Sequence, residues 1–321
     1  REYRQYERFE SFYGDKPRIK SILHLLYQGT SLQLYENGRI DYAYVGGKNL
    51  TRFTDPLEPL SRQLKTTVRL CTGYFTMDTT MPPFDDVKVR QAFAMAVDKE
   101  KYARQIGRES VLPAAGLYPP ALPGFDREFK GLSFNPEKAR TLLRESRYGG
   151  VDMPPVTVST SSYGNSVPEG ISALAQMWEE NLGINITIQN IDPDYYQDVL
   201  ESDRHGQLIS EGWCADYPDP ENFADVLFHS GNDMNRSNYN NPALDRLLEE
   251  ARVEPDAVKR MAMYSKAEKI IVNDAPAVFL THSKAFVLVK PYLRGFEPRP
   301  MNIPEERYMW IDASQFGADL P

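Results

Sequence analysis

Only two cysteines, Cys71 and Cys214, occur in 321 residues, and neither sits in a Cys-x-x-Cys pair, so no thiolate zinc site is expected. Histidine is equally sparse: His24, His205, His229 and His282 stand apart, with no two at helical metal-ligand spacing. Uninterrupted runs of about 18 apolar residues are missing, which removes a membrane-spanning helix from consideration. Basic charge is not in excess either. The net charge is −8, where a nucleic-acid binder would carry a basic stripe, and no nucleic-acid partner is expected. No Gly-rich dinucleotide fingerprint, phosphate loop, His-Glu-x-x-His or nucleophile elbow can be read. Carboxylate pairs of the glycosidase kind arise by chance among 45 acids. These absences favour a binding protein over an enzyme and require no cofactor or metal.

What is present suits a globular α/β protein. At about 150 residues per domain the length allows roughly two domains, and aromatic residues, 19 of them tyrosine, are plentiful. Strand and helix signals alternate with short connections. Residues 19–25 and 40–45 read as strands around a short helix capped by Thr30 and stopped at Gly38, together a compact crossover unit. Residues 51–66, with Pro56 and Pro59, read as a connector, and a strand runs through 68–71 towards Tyr74-Phe75. Asp85 or Asp86 caps a helix whose buried face carries Val89, Phe93, Ala96 and Val97. The proline- and glycine-rich stretch 111–126 reads as an irregular loop. Asn135-Pro136 opens a helix that Gly149-Gly150 end. A strand at 155–158, a helix burying Ile171, Leu174, Ala175 and Trp178, and a strand at 184–188 follow. Asp192-Pro193, Asn241-Pro242 and Asp256 each start a helix. Leu208-Ile209 leads a strand into Gly212-Trp213, and strands at 278–280 and 286–289 close the pattern. No internal repeat is visible.

The most informative stretch is Gly212-Trp213-Cys214-Ala215-Asp216-Tyr217-Pro218-Asp219-Pro220-Glu221-Asn222-Phe223. Its Asp and Pro residues are compatible with a plain strand-to-loop corner. It also has the makings of a ligand platform, because a carboxylate fixed at a strand end pairs with an ammonium while Trp213 offers a flat apolar wall. Asp216, Asp219 and Glu221 admit a calcium reading, although their spacing fits no EF-hand loop.

At these residues the sequence resembles the extracellular solute-binding proteins of family 5, the oligopeptide- and dipeptide-binding group of peptide ABC importers. Trp213-Cys214-Ala215-Asp216-Tyr217 with Asp219-Pro220 is similar to that family's ligand-contacting strand. Pro82-Pro83-Phe84-Asp85-Asp86-Val87-Lys88-Val89-Arg90-Gln91-Ala92 and Ala96-Val97-Asp98-Lys99 resemble its most recognisable segment. Phe134-Asn135-Pro136-Glu137-Lys138-Ala139 with Leu142-Leu143, Asn37-Gly38-Arg39-Ile40-Asp41, and Lys290-Pro291 with Gly295-Phe296 extend the match from about residue 13 to 312. The resemblance implies an α/β fold of the periplasmic-binding-protein type, class II. Residues 1–66 would be a remnant of a discontinuous first lobe, 67–289 a complete second, ligand-binding lobe, and 290–321 the return segment. Family members carry more sequence before the Tyr13-Gly14 region, and the chain begins at Arg1 without a leader. It therefore reads as truncated, cleaved or split, with the absent N-terminal part as a partner.

By resemblance, the function is extracytoplasmic peptide binding between two lobes and delivery to a membrane permease. The location implied is periplasmic or extracellular, with any lipid anchor on the absent N-terminus. Asp216 would pair with the peptide α-ammonium, backbone groups of Gly212, Cys214 and Ala215 with the peptide main chain, and Trp213 and Tyr217 would line the site. Tyr74 is a further pocket residue, and Arg204 and His205 lie where some relatives place groups near the peptide carboxylate. Cys71 and Cys214 match a disulfide found in some relatives, the alternative being two buried free thiols. An oligosaccharide or another solute on the same fold, or a ligand-sensing module of a larger or split protein, are the competing readings.

Overall fold

The computed structural model describes residues 2–26, 28–149, 153–164, 166–202, 204–301 and 306–315. In chain order the elements begin β1 (Tyr3–Glu7), β2 (Ser21–Leu25), α1 (Ser31–Glu36), β3 (Tyr42–Val45), α2 (Leu50–Thr54), β4 (Leu64–Met77), α3 (Val87–Met95), α4 (Lys99–Tyr102) and β5 (Val111–Pro113). They continue with α5 (Pro136–Glu145), β6 (Val156–Ser161), α6 (Glu169–Leu182), β7 (Ile186–Ile191), α7 (Pro193–Leu200) and β8 (Leu208–Cys214). The last are α8 (Glu221–Phe228), α9 (Pro242–Val253), α10 (Ala257–Asp274), β9 (Ala277–Val289), β10 (Leu293–Arg294) and β11 (Trp310–Ile311). No helix among the described residues is long and apolar enough to cross a membrane.

The chain divides into two compact units, Arg1–Arg69 with Lys284–Pro321, and Leu70–Ser283. The larger unit is organised on strands in the order β9-β4-β8-β6-β7, with β5 on β9. Strand β6 runs parallel to β7 and β8, whereas β4 is antiparallel to β8. Helix α6 packs its Leu174 and Trp178 into a core with Met77, Phe93 and Val158, all without solvent exposure. The Trp178 indole N–H donates to the Phe93 carbonyl at 3.0 Å, so the largest buried side chain is also polar-satisfied. Side-chain caps set the helix starts: Asp86 on α3, Asn135 on α5, Asp192 on α7, Asn241 on α9 and Asp256 on α10. Helix α6 stops at Gly183, whose φ of 72° is the left-handed cap conformation.

In the smaller unit β1 and β2 pair antiparallel with each other, β3 pairs antiparallel with the last residues of β9, and β10 pairs with β11. Tyr35, Leu50, Phe53 and Leu288 form one small core, and Val287, Val289, Leu293, Phe296 and Met309 another.

Several expected elements take a different form. The stretch 19–45 is no crossover unit, because β2 joins β1 and β3 joins a different sheet. Residues 51–66 are not all connector: Leu50 and Phe53, one turn apart, bury the inner face of α2. The loop 111–126 starts with β5, where Val111–Pro113 pairs with Thr281–Ser283 at a sheet position that proline tolerates. The two strands expected at 278–280 and 286–289 are one 13-residue strand, while the single strand expected through 68–71 towards Phe75 is present and runs from Leu64 to Met77. Helix α5 ends at Glu145 with Ser146 as its cap, before Gly149; Gly150 lies outside the described residues, as do 302–305 and 316–321 of the expected return segment.

Candidate ligand-binding site

Strand β8 has two unlike edges. On one side it pairs with β4 from Leu208 opposite Met77 to Cys214 opposite Cys71. The Ala215 N–H donates to the Leu70 carbonyl at 2.8 Å, continuing this register. Antiparallel pairing alternates, so Glu211, Trp213 and Ala215 turn their backbone groups towards β4, and Ser210, Gly212 and Cys214 turn theirs to the opposite edge. That opposite edge meets β6 only at Leu208 and Ile209 among the described residues. The Ser210 carbonyl accepts the Tyr196 hydroxyl at 2.8 Å. Beyond it, among the described residues, the backbone groups of Gly212 and Cys214 face no strand, and both residues are exposed. Ala215, expected among the main-chain binders, has its amide committed to Leu70.

The disulfide is present. Cys71 and Cys214 are joined at an S–S distance of 2.07 Å with Cα atoms 4.0 Å apart, the close spacing of a non-hydrogen-bonded pair. It clamps the open-edged end of β8 to β4.

Past Cys214 the chain turns a corner that α8 organises. Asn222, only 2% exposed, accepts both the Trp213 indole N–H at 3.0 Å and the Asp216 backbone N–H at 2.9 Å on one carbonyl oxygen. The Asp216 side chain is exposed, and its carboxylate has no hydrogen-bond or ion-pair partner among the described residues. Tyr217 donates its hydroxyl to Glu221. Asp219 forms a bidentate pair with Arg260, both N–O distances 2.7 Å, and accepts the Glu221 N–H at 3.0 Å. Burial pushes the Asp219 carboxyl up, but these hydrogen bonds outweigh it and hold it below the usual carboxylate range. Of the three carboxylates that admitted a calcium reading, Asp219 is thus engaged with Arg260 and Glu221 with Tyr217.

The other expected residues lie at different places along the strand. Tyr74 is 5% exposed on β4, directly opposite Glu211, and burial followed by the Glu211 charge raises its hydroxyl pKa. Arg204 and His205 precede the far end of β8, roughly 20 Å of strand from Cys214. There Arg204 bonds the Ser202 hydroxyl at 3.1 Å and the His205 ring lies 2.9 Å from the Gly206 carbonyl. Residues not anticipated are Asn222 and the pair Glu211–Arg236, whose N–O distance is 2.9 Å. Helix α8 was readable, since Phe223, Ala224, Leu227 and Phe228 recur at helical spacing and are all buried.

A model of the bacterial extracellular solute-binding proteins, family 5 (middle region), matches residues 1–235. The chain is 28% identical over 298 residues to the periplasmic oligopeptide-binding protein OppA of Escherichia coli K12, covering 88% of this chain and 52% of OppA. It is 30% identical over 293 residues to the periplasmic murein peptide-binding protein MppA of the same organism, covering 89% and 53%. The solved structure of the Escherichia coli murein tripeptide binding protein MppA superposes with a TM-score of 0.74 at 26% identity, over 92% of this chain and 58% of that one. The chain therefore spans about half the length of these relatives, and its fold is that of the periplasmic peptide-binding proteins. The chain belongs to the bacterial extracellular solute-binding proteins, family 5.

Proposed function

We propose that this chain is the ligand-binding portion of an extracytoplasmic peptide-binding protein of an ABC importer, acting by binding and not by turnover. One observation carries the reading: the unpaired backbone edge at Gly212 and Cys214 ends beside an exposed, unpartnered Asp216 carboxylate. An extended peptide can add to such an edge through main-chain hydrogen bonds, which ignore side-chain identity, while its α-ammonium meets Asp216. Trp213 and Tyr217 supply aromatic walls beside that carboxylate. The relatives OppA and MppA are named as peptide binders and as periplasmic, which supports the ligand class and the location. A disulfide suits that oxidising compartment. In this reading the unit Leu70–Ser283 is the second lobe, and the remaining residues contribute to the first lobe together with sequence outside these 321 residues. The membrane permease is the expected partner.

The test is native mass spectrometry with a pool of di- to pentapeptides and N-acetylated controls. Free-amine peptides are retained and acetylated ones are not, and Asp216→Asn lowers that preference at least tenfold. Equal retention of both classes by the native chain removes the ammonium contact. Retention of oligosaccharides in place of peptides transfers the site to another solute.

A further inference from the structure

Resting on the peptide-binding reading, we infer that Asn222 is the positioning residue of the platform, a buried side chain that touches no ligand but holds in one array two residues that do, Trp213 and Asp216. Its carbonyl oxygen takes two N–H groups that arrive from different parts of the corner: the Trp213 indole at the end of β8 and the Asp216 backbone in the turn. The Tyr217 hydroxyl donates to Glu221, one residue before Asn222. A carbonyl oxygen has two lone pairs, so both acceptor sites of the side chain are used.

The role follows from what each bond restrains. Trp213 is directly opposite Thr72 on β4, and the strand pairing fixes its backbone but leaves the ring free to turn about its side-chain torsions. The indole bond removes that freedom. Asp216 lies two residues past the end of β8, where no ladder bond constrains it, and the Asn222 carbonyl is its anchor. Asn222 itself is held by its place in the first turn of α8, whose Phe223, Ala224, Leu227 and Phe228 are buried. The position of the carboxylate is therefore set by the packing of a helix that the ligand never meets. Leucine, similar in size, would keep the volume and lose every bond. Aspartate would keep two acceptor lone pairs for the indole and backbone N–H groups.

The experiment combines a spectroscopic signal with a binding ratio. In the native chain the indole N–H resonances of Trp178, Trp213 and Trp310 are assigned by nitrogen-15 NMR. In Asn222→Leu the Trp213 indole signal moves upfield and exchanges with solvent at least tenfold faster, while that of Trp178, bonded to the Phe93 carbonyl, stays in place and reports an intact core. Asn222→Asp restores a hydrogen-bonded Trp213 signal. The preference for a free-amine tripeptide over its N-acetyl form falls about tenfold in the leucine variant and recovers in the aspartate variant. An unchanged Trp213 signal in Asn222→Leu overturns the positioning role. So does a moved signal with an unchanged amine preference. Should the native chain itself show no amine preference, the peptide reading fails, and the indole signal still decides whether Asn222 holds the corner.

Discussion

The two units are built from the same kinds of strand and short helix, yet they bury very different amounts of what they carry. In Leu70–Ser283, Trp178, Phe93, Met77 and Leu174 are sealed from water between α3, α6 and the sheet. In the smaller unit, every residue of β1 is exposed, β2 is largely exposed, and Leu23 and Tyr6 keep 56% and 50% of their surface. A cavity of about 740 Å³ there is lined by apolar side chains including Leu23, Leu25, Leu34, Ile40, Tyr42 and Ile311. Alternation of residue type is enough to form a strand pair, but stability comes from a second layer that buries one face. The larger unit has that layer. Stability should therefore be concentrated in it, and tryptophan separates the two, since Trp178 and Trp213 report on the larger unit and Trp310 on the smaller.

The largest effect expected is that of the disulfide. Joining Cys71 to Cys214 closes a loop with a sequence separation of 143, worth up to ~5 kcal/mol in the chain-entropy picture and typically somewhat less. Reduction, or Cys71→Ser with Cys214→Ser, should move the denaturant midpoint read by Trp178 and leave the Trp310 signal nearly where it was. Coincident shifts of both signals would break the comparison and make the chain one cooperative whole.

Truncation of the core comes next. Trp178→Ala removes a fully buried ring stacked edge-on against Phe75, with centroids 5.8 Å apart, and the bond to Phe93. A cost of about 3–5 kcal/mol is expected in urea unfolding followed by circular dichroism. A cost below about 1 kcal/mol would mean that the core is loosely packed.

This concentration of structure also sets what could be read from sequence. The cap at Asp86, the Asn-Pro starts of α5 and α9, the stop at Gly183 and the Trp213–Tyr217 segment are local signals, and each marks what the fold contains. The continuity of β9 through Ser283-Lys284 was hidden because polar residues in mid-strand look like a turn. The pairing of β2 with β1 was hidden for a related reason: which strand lies beside which is decided by tertiary packing, not by alternation. At the site, the residue types were legible, and the bond pattern was not. That Gly212 and Cys214 face the open edge while Ala215 faces β4 depends on register, and the role of Asn222 depends on α8 folding back on the corner.

A smaller effect depends on pH. Glu268 on α10 is 2% exposed and accepts the Tyr118 N–H at 2.9 Å, and burial pushes its carboxyl up to about 7 from an ordinary 4.5. Between those values the folded chain keeps a proton that the unfolded chain has released. The stability that this proton confers is complete below about pH 4.5 and declines as the pH rises through 7, by on the order of 3 kcal/mol. Glu268→Gln keeps an acceptor for Tyr118 and cannot ionise, so its stability relative to the native chain should increase from pH 5 to pH 8. Parallel pH profiles would show that Glu268 is already ionised in the fold.

The smallest effect is expected on the exposed strand pair, and there it discriminates most sharply. Tyr6 on β1 is directly opposite Ile22 on β2, and its ring lies 5.1 Å from that of His24, but half of its surface faces water already. Removing it deletes little that folding has buried, so Tyr6→Ser and Leu23→Ser should each change stability by no more than about 0.5 kcal/mol, as surface substitutions do. A loss of 2 kcal/mol or more in either variant requires that the side chain be buried by something in solution. The same loss appearing only at high protein concentration would identify that cover as a second copy of the chain, because dimerisation stabilises by mass action whereas intramolecular packing does not depend on concentration.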